Sequence, residues 1–403
     1  MKKILIIGAG IEQVPAIKIA KQMGYYVVTT DFNPSAPGMS FADKSFVIST
    51  NDKEKNLEVA IQEKVDGVMA ICSETAVSVV GHICDQLGLK GLSASTAIQS
   101  TNKGAMRIAM QENNVAMPPR RFISSLEEAA NFVNEFAPPW VLKPSDSSGQ
   151  RGTNLIYDKK ELEWSFNEAK KHSTDNMVLI DQFIEGQEIN VNAIVINGEF
   201  HILSLADRNT LEAPHFGIAV LHIAPPNITK NEALAVKELA KNAANAIGLR
   251  NGIAYPQIIV TKNGPKLIEI AARMPGGYNR EMAQNLSGID MIKAQILSSI
   301  NDEFKYEELI ESPIFKASGV KLLTSIDYPE LVGKKIKSID GIKAVEEMEG
   351  VQACHFHVKI GDIIPSLENS VGRFAAIIAI GDSKTQVLNR LETAKEKIKI
   401  NVH

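Results

Sequence analysis

The sequence predicts a mixed fold in which an α/β unit comes first and α+β units follow. Short apolar strands alternate with helices over the first ~100 residues, and strand pairs joined by Asn-Gly turns fill the middle. Further strand runs precede a charged helix at the end. At 403 residues the chain is too long for one hydrophobic core, so two or three domains are expected.

The α/β unit begins with KKILIIGAG, a buried-strand pattern that runs into a glycine turn. Apolar positions at helical spacing follow from Val14 to Met23, and YYVVTTD, Tyr25 to Asp31, is a second strand. A helix near Lys55–Glu63 and the strand VDGVMAI continue the alternation. This order predicts an open parallel sheet with helices on both faces.

The turn GAGIEQ leaves a nicotinamide or flavin site open as the weaker alternative. A G-x-G turn after a strand, with Asp31 about 20 residues on, is similar to the dinucleotide fingerprint. The third glycine position is Gln13, however, which favours a turn that serves structure or substrate.

The middle of the chain is predicted to contain two hairpins. Asn197–Gly198 and Asn263–Gly264 lie between strand patterns, as the residues of tight hairpin turns do. The expected strands are Ile189–Ile196, His201–Asp207, Gly252–Val260 and Pro265–Ile270, with a helix over Glu232–Leu249. The last ~100 residues add the strand runs VQACHFHV, GDIIP and FAAIIAIG and a final helix, with no residue of evident catalytic chemistry.

Composition excludes several classes of protein. A net charge of −4 gives no reason to expect a nucleic-acid partner, which requires a basic face. We expect no membrane partner, because no apolar run reaches transmembrane length, and no signal peptide, because the chain opens directly on a strand. Cys72, Cys84 and Cys354 form no CxxC pair, which predicts core thiols in the reducing cytoplasm.

The segment VLKPSDSSGQRG predicts a phosphate site. Lys143 places a charge at the end of an apolar strand, and Pro144 stops that strand. Ser148, Gly149 and Gly152 then supply a hydroxyl and backbone N–H groups with little bulk, so that anionic oxygens can approach closely.

The segment KLIEIAARMPGG predicts a metal and substrate site. Glu269 lies inside an apolar strand, where a carboxylate is costly without a cation. Arg273 offers a planar fork suited to a carboxylate or a developing acyl phosphate. Gly276 and Gly277 then let a substrate lie close to the backbone.

These two segments, in this order, resemble the ATP-grasp superfamily. FIEGQEINV, Phe183 to Val191, resembles its adenine-side hinge, and Thr101–Phe122 resembles its first helix and Pro-marked turn. The resemblance implies that ATP binds between two α+β subdomains. It also implies a Rossmann-like domain over 1–102, an ATP-grasp domain over 103–302 with a lid near 120–190, and a small α+β domain over 303–403.

The resemblance also implies roles for individual residues. Arg273 and Lys143 would be catalytic, and Glu269 with Gln257 would hold Mg²⁺ or Mn²⁺. The substrate would be bound by Glu74, His215, Arg273, Gly276 and Gly277. ATP would be bound by Lys103, Lys143, Ser148, Gly149, Gly152, Asp181, Gln182, Phe183, Ile184 and Glu188.

Two positions depart from the family pattern. Gln257 stands where the preceding strand normally brings a second Glu, and Ala271 stands where an Asn is often found. An amide can coordinate a metal through its oxygen, but the site loses one negative charge. The sequence therefore leaves open whether the protein turns over its substrates.

The implied activity is an ATP-dependent carboxylate–amine ligase that works through an acyl phosphate on small molecules, in the manner of an amino-acid ligase. A phosphoribosylamine–glycine ligase and a non-catalytic ATP-binding protein are the alternatives. A small-molecule carboxylate and an amine are the expected partners, and a homodimer is left open.

Overall fold

Four β-sheets organise the structure, a computed structural model that describes residues 1–145, 152–212, 215–300 and 304–403. Within these ranges the strands are β1 (Lys3–Ile7), β2 (Tyr26–Asp31), β3 (Lys44–Val47), β4 (Gly67–Met69), β5 (Arg120–Ile123), β6 (Trp140–Pro144), β7 (Asn154–Ile156), β8 (Val178–Gln182), β9 (Gln187–Ile196), β10 (Glu199–Thr210), β11 (Ala219–Ala224), β12 (Gly252–Thr261), β13 (Gly264–Ala271), β14 (Ala317–Leu323), β15 (Ile336–Asp340), β16 (Val351–Phe356), β17 (Ala375–Gly381) and β18 (Lys399–Val402).

The helices pack on the faces of these sheets. They are α1 (Val14–Gln22), α2 (Lys53–Glu63), α3 (Glu74–Leu87), α4 (Ala94–Thr101), α5 (Lys103–Glu112), α6 (Leu126–Glu135), α7 (Leu162–Lys171), α8 (Lys230–Ala246), α9 (Asn279–Ser287), α10 (Met291–Ser299), α11 (Ile342–Glu346) and α12 (Lys384–Lys397). None of these helices is both long enough and apolar enough to cross a membrane.

The N-terminal sheet has the predicted parallel arrangement, in the order β3-β2-β1-β4. Side chains of the protein itself form hydrogen bonds around its glycine turn. Asp31 accepts hydrogen bonds from the N–H groups of Ala9 and Asn33, at 2.8 and 2.9 Å. Gln13 is buried beside the turn and donates to the carbonyl of Ile71. Both carboxylate oxygens of Asp31 thus already accept hydrogen bonds from the backbone. Because a dinucleotide ribose would need these oxygens as acceptors, the arrangement disfavours the nicotinamide alternative.

An eight-stranded antiparallel sheet forms the centre of the molecule, in the order β13-β12-β9-β10-β11-β14-β17-β16. Both predicted hairpins are present: Ile196 pairs with Glu199 and Thr261 pairs with Gly264. Asn197 and Gly198 both have positive φ, 53° and 90°, as a type I′ turn requires. Strands β14, β16 and β17 come from the predicted C-terminal domain, so the central sheet continues across the predicted boundary at 302/303.

The predicted lid contains its own antiparallel sheet, β5-β8-β6-β7, covered by α6 and α7. Phe132 and Trp140 are buried between the helices and this sheet, in a core separate from that of the central sheet. The lid therefore has packing of its own, and its strands β6 and β8 carry the predicted ATP residues.

The C-terminal residues differ from the prediction in two places. GDIIP is not a strand, because Ile363 makes only an isolated bridge with Lys335. A further strand, β18, follows α12 and pairs with β15. Strand β18 was not predicted, because a strand at the chain end that pairs with a distant partner leaves little local signal.

Candidate active site

The predicted site residues gather in one cleft between the lid and the central sheet, with a cavity volume of about 390 Å³. Thirteen of the predicted residues line this cleft: Glu74, Lys103, Lys143, Asp181, Gln182, Phe183, Ile184, Glu188, Gln257, Glu269, Arg273, Gly276 and Gly277. Segments that are up to about 200 residues apart in sequence therefore meet around one space.

Two predicted residues lie outside the described part of the chain, and two described ones are absent from the lining of the cleft. Ser148 and Gly149 lie outside the described residues. Gly152 has a φ of +68° and serves a turn: a Cβ there would lie 2.9 Å from His172 and 3.0 Å from Pro144. His215 is absent from the lining, which its neighbours Phe216 and Gly217 form instead. The turn explains why position 152 is a glycine, and the phosphate contact of Gly152 and the substrate contact of His215 stay predictions.

The lid face of the cleft carries a buried three-residue charge cluster. Asp181 Oδ1 lies 2.5 Å from Arg120 Nε, and its Oδ2 lies 2.8 Å from Arg120 Nη2 and 3.0 Å from Lys143 Nζ. Burial alone would raise the pKa of Asp181, but Arg120 and Lys143 outweigh it and the pKa is lowered. With Asp181 ionised, the two cations leave the cluster a surplus positive charge beside the cleft.

This cluster gives the Asp181 carboxylate two cationic partners. The carboxylate holds Arg120 and Lys143 in place, and because Asp181 also lines the cleft its contact with ATP stays a prediction. The strand register explains the arrangement, because Asp181 on β8 pairs with both Arg120 on β5 and Val141 on β6. Arg120 was not predicted to be functional; its position after a Pro-marked turn gave no hint of its partner.

The hinge segment is fixed by its own backbone. The N–H of Gln182 donates to Pro119 O and the N–H of Phe183 donates to Pro139 O, both at 2.9 Å. The rings of Phe183 and Phe216 meet edge to face at 5.8 Å. The backbone N–H groups of Gln182 and Phe183 are therefore already used and cannot donate to an adenine. An adenine in this part of the cleft would contact the apolar side chains of Phe183 and Ile184.

Glu188 is held by an arginine that was not predicted. Its carboxylate lies 2.5 Å from Arg208 Nη1 and 3.4 Å from Thr210 Oγ1, and Arg208 also donates to Gly217 O. Glu188 still lines the cleft, so its contact with a ribose stays a prediction. Arg208 restrains this carboxylate, and it lines the same cleft.

The two predicted metal ligands lie opposite each other on β12 and β13. Gln257 pairs with Glu269 in the strand register, and Gln257 Nε2 donates to Glu269 Oε1 at 2.8 Å. The described residues contain no cluster of three or more His, Cys, Asp or Glu arranged as metal ligands. One carboxylate and one amide oxygen fit an ion whose other ligands are phosphate oxygens and water, as Mg²⁺ prefers.

Lys103 also lies at this end of the cleft. Burial lowers its pKa, and Glu269 and Glu74 oppose that shift while Lys143 adds to it. Since Lys103 begins α5 and Lys143 ends the apolar part of β6, two ammonium groups from different elements act on one space. The prediction that both lysines face the nucleotide is consistent with this placement.

Glu74 and Arg273 form an ion pair at 2.5 Å between Oε2 and Nε. Arg273 Nη1 also donates to Met274 O at 3.2 Å. Burial would lower the pKa of Arg273, but Glu74 overcomes this and raises it. Both residues were predicted to bind the substrate, and the structure shows that the carboxylate of Glu74 also contacts Arg273.

The far end of the cleft contains residues that were not predicted. Gly277 has a φ of +67° and precedes α9, and His222 and Arg373 lie beside it. His222 is buried, and burial together with Arg208 and Arg373 lowers its pKa to about 3. Ser370 and Arg373 belong to the C-terminal region, to which the sequence assigned no chemistry.

Comparison with known proteins agrees with this geometry. Residues 136–280 match the ATP-grasp domain, and residues 333–403 match the L-amino acid ligase C-terminal domain 2. An alanine–anticapsin ligase from Bacillus subtilis is 23% identical over 316 residues, which are 71% of this chain and 64% of that protein. The chain thus spans less than two thirds of the length of that curated relative.

Two solved structures share the fold over the whole chain. An L-amino acid ligase from Bacillus licheniformis superposes with a TM-score of 0.83 at 21% identity, covering 100% of this chain and 99% of that one. A phosphoribosylglycinamide synthetase from Anaerococcus prevotii superposes with a TM-score of 0.79 at 21% identity, covering 100% of both chains. The predicted combination of a parallel-sheet N-terminal unit with an ATP-grasp fold is confirmed.

Proposed function

We propose that the chain is an ATP-dependent carboxylate–amine ligase with amino-acid substrates, because residues 136–280 match an ATP-grasp domain and residues 333–403 match an L-amino acid ligase C-terminal domain. A carboxylate oxygen attacks the γ-phosphorus of ATP, ADP leaves, and an acyl phosphate forms. The amine nitrogen then attacks the acyl carbon, phosphate leaves, and the nitrogen loses a proton to give the amide. No protein nucleophile takes part.

Positioned charge on the lid supports the phosphoryl-transfer step. Lys143 and Arg120 together carry one more charge than Asp181 neutralises, and Lys143 lines the cleft. Because Asp181 holds the ammonium at 3.0 Å, the charge is oriented before ATP arrives. Lys103 acts on the same space from α5.

Glu269 and Gln257 would hold the divalent ion, which would supply charge neutralisation for the phosphate oxygens during transfer. Arg273, fixed by Glu74, lies where its remaining guanidinium N–H groups can bind a carboxylate or the acyl phosphate oxygen.

The observation that carries this proposal is the meeting of two ion pairs and one amide–carboxylate hydrogen bond around one cavity. They are Lys143 with Asp181, Gln257 with Glu269, and Glu74 with Arg273. A cation site for phosphates, an oxygen site for a metal and an arginine for a carboxylate are the groups that acyl phosphate formation requires.

Two other activities compete with this one. A phosphoribosylamine–glycine ligase shares the fold, but the match of residues 333–403 to an L-amino acid ligase domain favours amino-acid substrates. A non-catalytic ATP-binding protein is the alternative raised by Gln257. We propose a cytoplasmic setting, in which the three free cysteines stay reduced.

An ADP-release screen tests the proposal. The purified chain is incubated with Mg·ATP and pairs of the twenty protein amino acids, and with glycine plus phosphoribosylamine, and products are identified by mass spectrometry. ADP formation that depends on an amino-acid pair, with a dipeptide of matching mass, is the expected result. ADP formation only in the mixture of glycine and phosphoribosylamine would identify a phosphoribosylamine–glycine ligase. ATP binding without ADP release in any mixture would identify the non-catalytic protein.

A further inference from the structure

An open groove lies along the first half of β10, with a cavity volume of about 500 Å³ and no lining residue in common with the cleft. Residues 200–202 of the strand line its floor, α8 lines one side and Tyr306 lines the other. Phe200 and Ile202 pack against the core that contains the buried face of α8, whereas the ring of His201 stacks on Tyr306 at 4.2 Å. Because successive side chains of a strand point to opposite faces, the groove reaches both faces of the sheet and therefore follows its edge.

This edge carries backbone groups without a partner strand. In the described ranges β10 pairs with β11 only from Asp207 to Thr210, so its first half is paired with β9 alone. Ile196 and Glu199 flank a two-residue turn and therefore form a hydrogen-bonded pair. Phe200 and Ile202 consequently occupy the alternate positions, at which the N–H and C=O groups point away from β9. No hydrogen bond from a turn, a loop or a side chain within the described ranges reaches these groups.

The unpaired stretch has the spacing of a strand-binding site. The register shifts between Ile202 and Ser204, which ends the regular edge and leaves four outward backbone groups, two N–H and two C=O. These donors and acceptors recur every second residue, about 7 Å apart. A second strand presents complementary groups at the same repeat, whereas a small anion could use only the donors. The edge is therefore suited to an extended segment of polypeptide.

Two lysines without partners stand beside this edge. Lys237 and Lys241 are exposed, lie one turn apart on α8 and line the groove, and neither has an ion pair within the described ranges. Glu238 also lines the groove without an ion pair there, so the α8 side carries one surplus positive charge. Residues four apart on a helix lie about 5–6 Å from each other. Same-face side chains of a strand have a similar spacing, so acidic residues at alternate positions of an extended segment can reach both lysines.

A second copy of this chain suits the groove less well. Antiparallel pairing of β10 with the same strand of another copy requires a two-fold axis perpendicular to the sheet. That axis would set the two α8 helices side by side on one face. Lys237 and Lys241 of one copy would then approach the same two lysines of the other, and like charges would repel.

We propose that this edge binds an extended acidic segment of a partner protein, which adds to β10 as a further strand. The backbone groups of Phe200 and Ile202 pair with the segment, and Lys237 and Lys241 bind its carboxylates on the face towards α8. Leu234, which lines the groove and is 64% exposed, is covered by an apolar residue of the segment. The inference is independent of the proposed ligase function, because the groove lies outside the cleft.

Fluorescence anisotropy with labelled peptides tests the proposal. The full chain is titrated into a peptide of about ten residues in which Glu alternates with Val, and into the same peptide with Lys in place of Glu. The Glu peptide is expected to bind with a Kd on the order of 100 μM and at least about tenfold more tightly than the Lys peptide. Absence of binding, or equal binding of the two peptides, would overturn the proposal.

Charge reversal in the groove should weaken this binding. Lys237→Glu and Lys241→Glu should each raise the Kd of the Glu peptide by about three- to tenfold. Lys262→Glu is the matched control, because Lys262 is an exposed lysine at the turn between β12 and β13, outside the groove. It should leave the Kd within about twofold. Melting temperatures show that the variants are folded. An unchanged Kd in both groove variants, or an equal rise in the control, would reject the site.

Alternate N-methylation of the peptide separates strand pairing from charge attraction. Methyl groups on all Glu residues, or on all Val residues, remove the N–H groups along one edge of the extended peptide and leave the other edge intact. One of these two peptides should keep the Kd of the parent within about threefold, and the other should lose binding. Retention by both or loss by both would overturn strand addition. Sedimentation of the chain alone tests the other occupant: a dimer that the Glu peptide dissociates would assign the edge to a second copy and overturn the proposal.

Discussion

Glu74 Oε2 lies 2.5 Å from Arg273 Nε across 199 positions of sequence. Glu74 begins α3 behind the parallel N-terminal sheet, and Arg273 follows β13 at the edge of the central sheet. This ion pair therefore connects the N-terminal unit with the edge of the central sheet at the cleft. Both side chains remain partly exposed, at 35% and 24%, so a substrate can reach them.

Glu74→Gln should lower kcat/KM without unfolding the protein. The substitution keeps the shape of the side chain but removes the charge that orients Arg273, a loss of about 1.5–3 kcal/mol or 10- to 100-fold in kcat/KM. Arg273→Lys should cost a similar amount, and the double variant should cost much less than the sum, because each change breaks the same pair. Steady-state kinetics of the three variants measure this coupling, and additive effects would show that the pair has no joint role.

Lys143→Ala and Arg120→Ala should separate ATP binding from stability. Both cations contact Asp181, but Arg120 is bidentate and buried whereas Lys143 lines the cleft. Lys143→Ala should weaken ATP binding by about 10- to 100-fold and nearly abolish ADP formation while the fold survives. Arg120→Ala should cost about 3 kcal/mol of unfolding free energy, since it leaves Asp181 poorly balanced. Calorimetric ATP titration and urea unfolding give the two readouts; the reverse ranking would mean that the roles are exchanged.

Local sequence patterns predicted much of the fold and thirteen of the described residues that line the cleft. Alternating strands and helices predicted the parallel sheet, and the Asn197–Gly198 pair predicted a hairpin that has positive φ at both positions. The acid in the apolar strand LIEI was assigned to the cleft for a physical reason, the cost of a carboxylate in that setting, and Glu269 lines the cleft.

The residues that sequence reasoning missed act through long-range pairing. Arg208 is defined by Glu188, 20 positions away on the neighbouring strand, and His222 by Asn190, 32 positions away. Arg373 reaches the cleft only because β17 joins the central sheet next to β14. No local periodicity marks such residues, because each one looks like an ordinary polar residue within or beside a strand.

Gln257→Glu should make the stability of the protein depend on Mg²⁺. The new carboxylate would replace an amide nitrogen that lies 2.8 Å from Glu269 Oε1, so two like charges would meet. Without a cation the repulsion between the two carboxylates should lower the free energy of unfolding by about 1.4–3 kcal/mol. The melting temperature should fall in EDTA and recover when MgCl₂ is added, with no nucleotide present.

Glu269→Gln should act in the opposite direction on the same dependence. It removes the carboxylate of the pair, so the Mg²⁺ concentration for half-maximal ADP release should rise steeply or turnover should be lost. In Gln257→Glu that concentration should fall. Activity measured over a Mg²⁺ series decides the point: a flat response in both variants would show that β12 and β13 do not carry the metal.

His222 should make the protein less stable in mild acid. Its pKa falls from 6.5 to about 3 on folding, through burial and the nearby Arg208 and Arg373. Between these values the unfolded chain binds one proton more than the folded chain, so the unfolding free energy rises with pH and is lost as pH falls below 6.5. His222→Gln removes this proton difference. The stability gap between wild type and variant should therefore shrink by about 2–3 kcal/mol between pH 6.5 and 4.5. Urea unfolding across this range measures the gap, with His172→Gln, a more exposed histidine of the lid, as the control. A gap that stays constant with pH would mean that folding does not lower the pKa of His222.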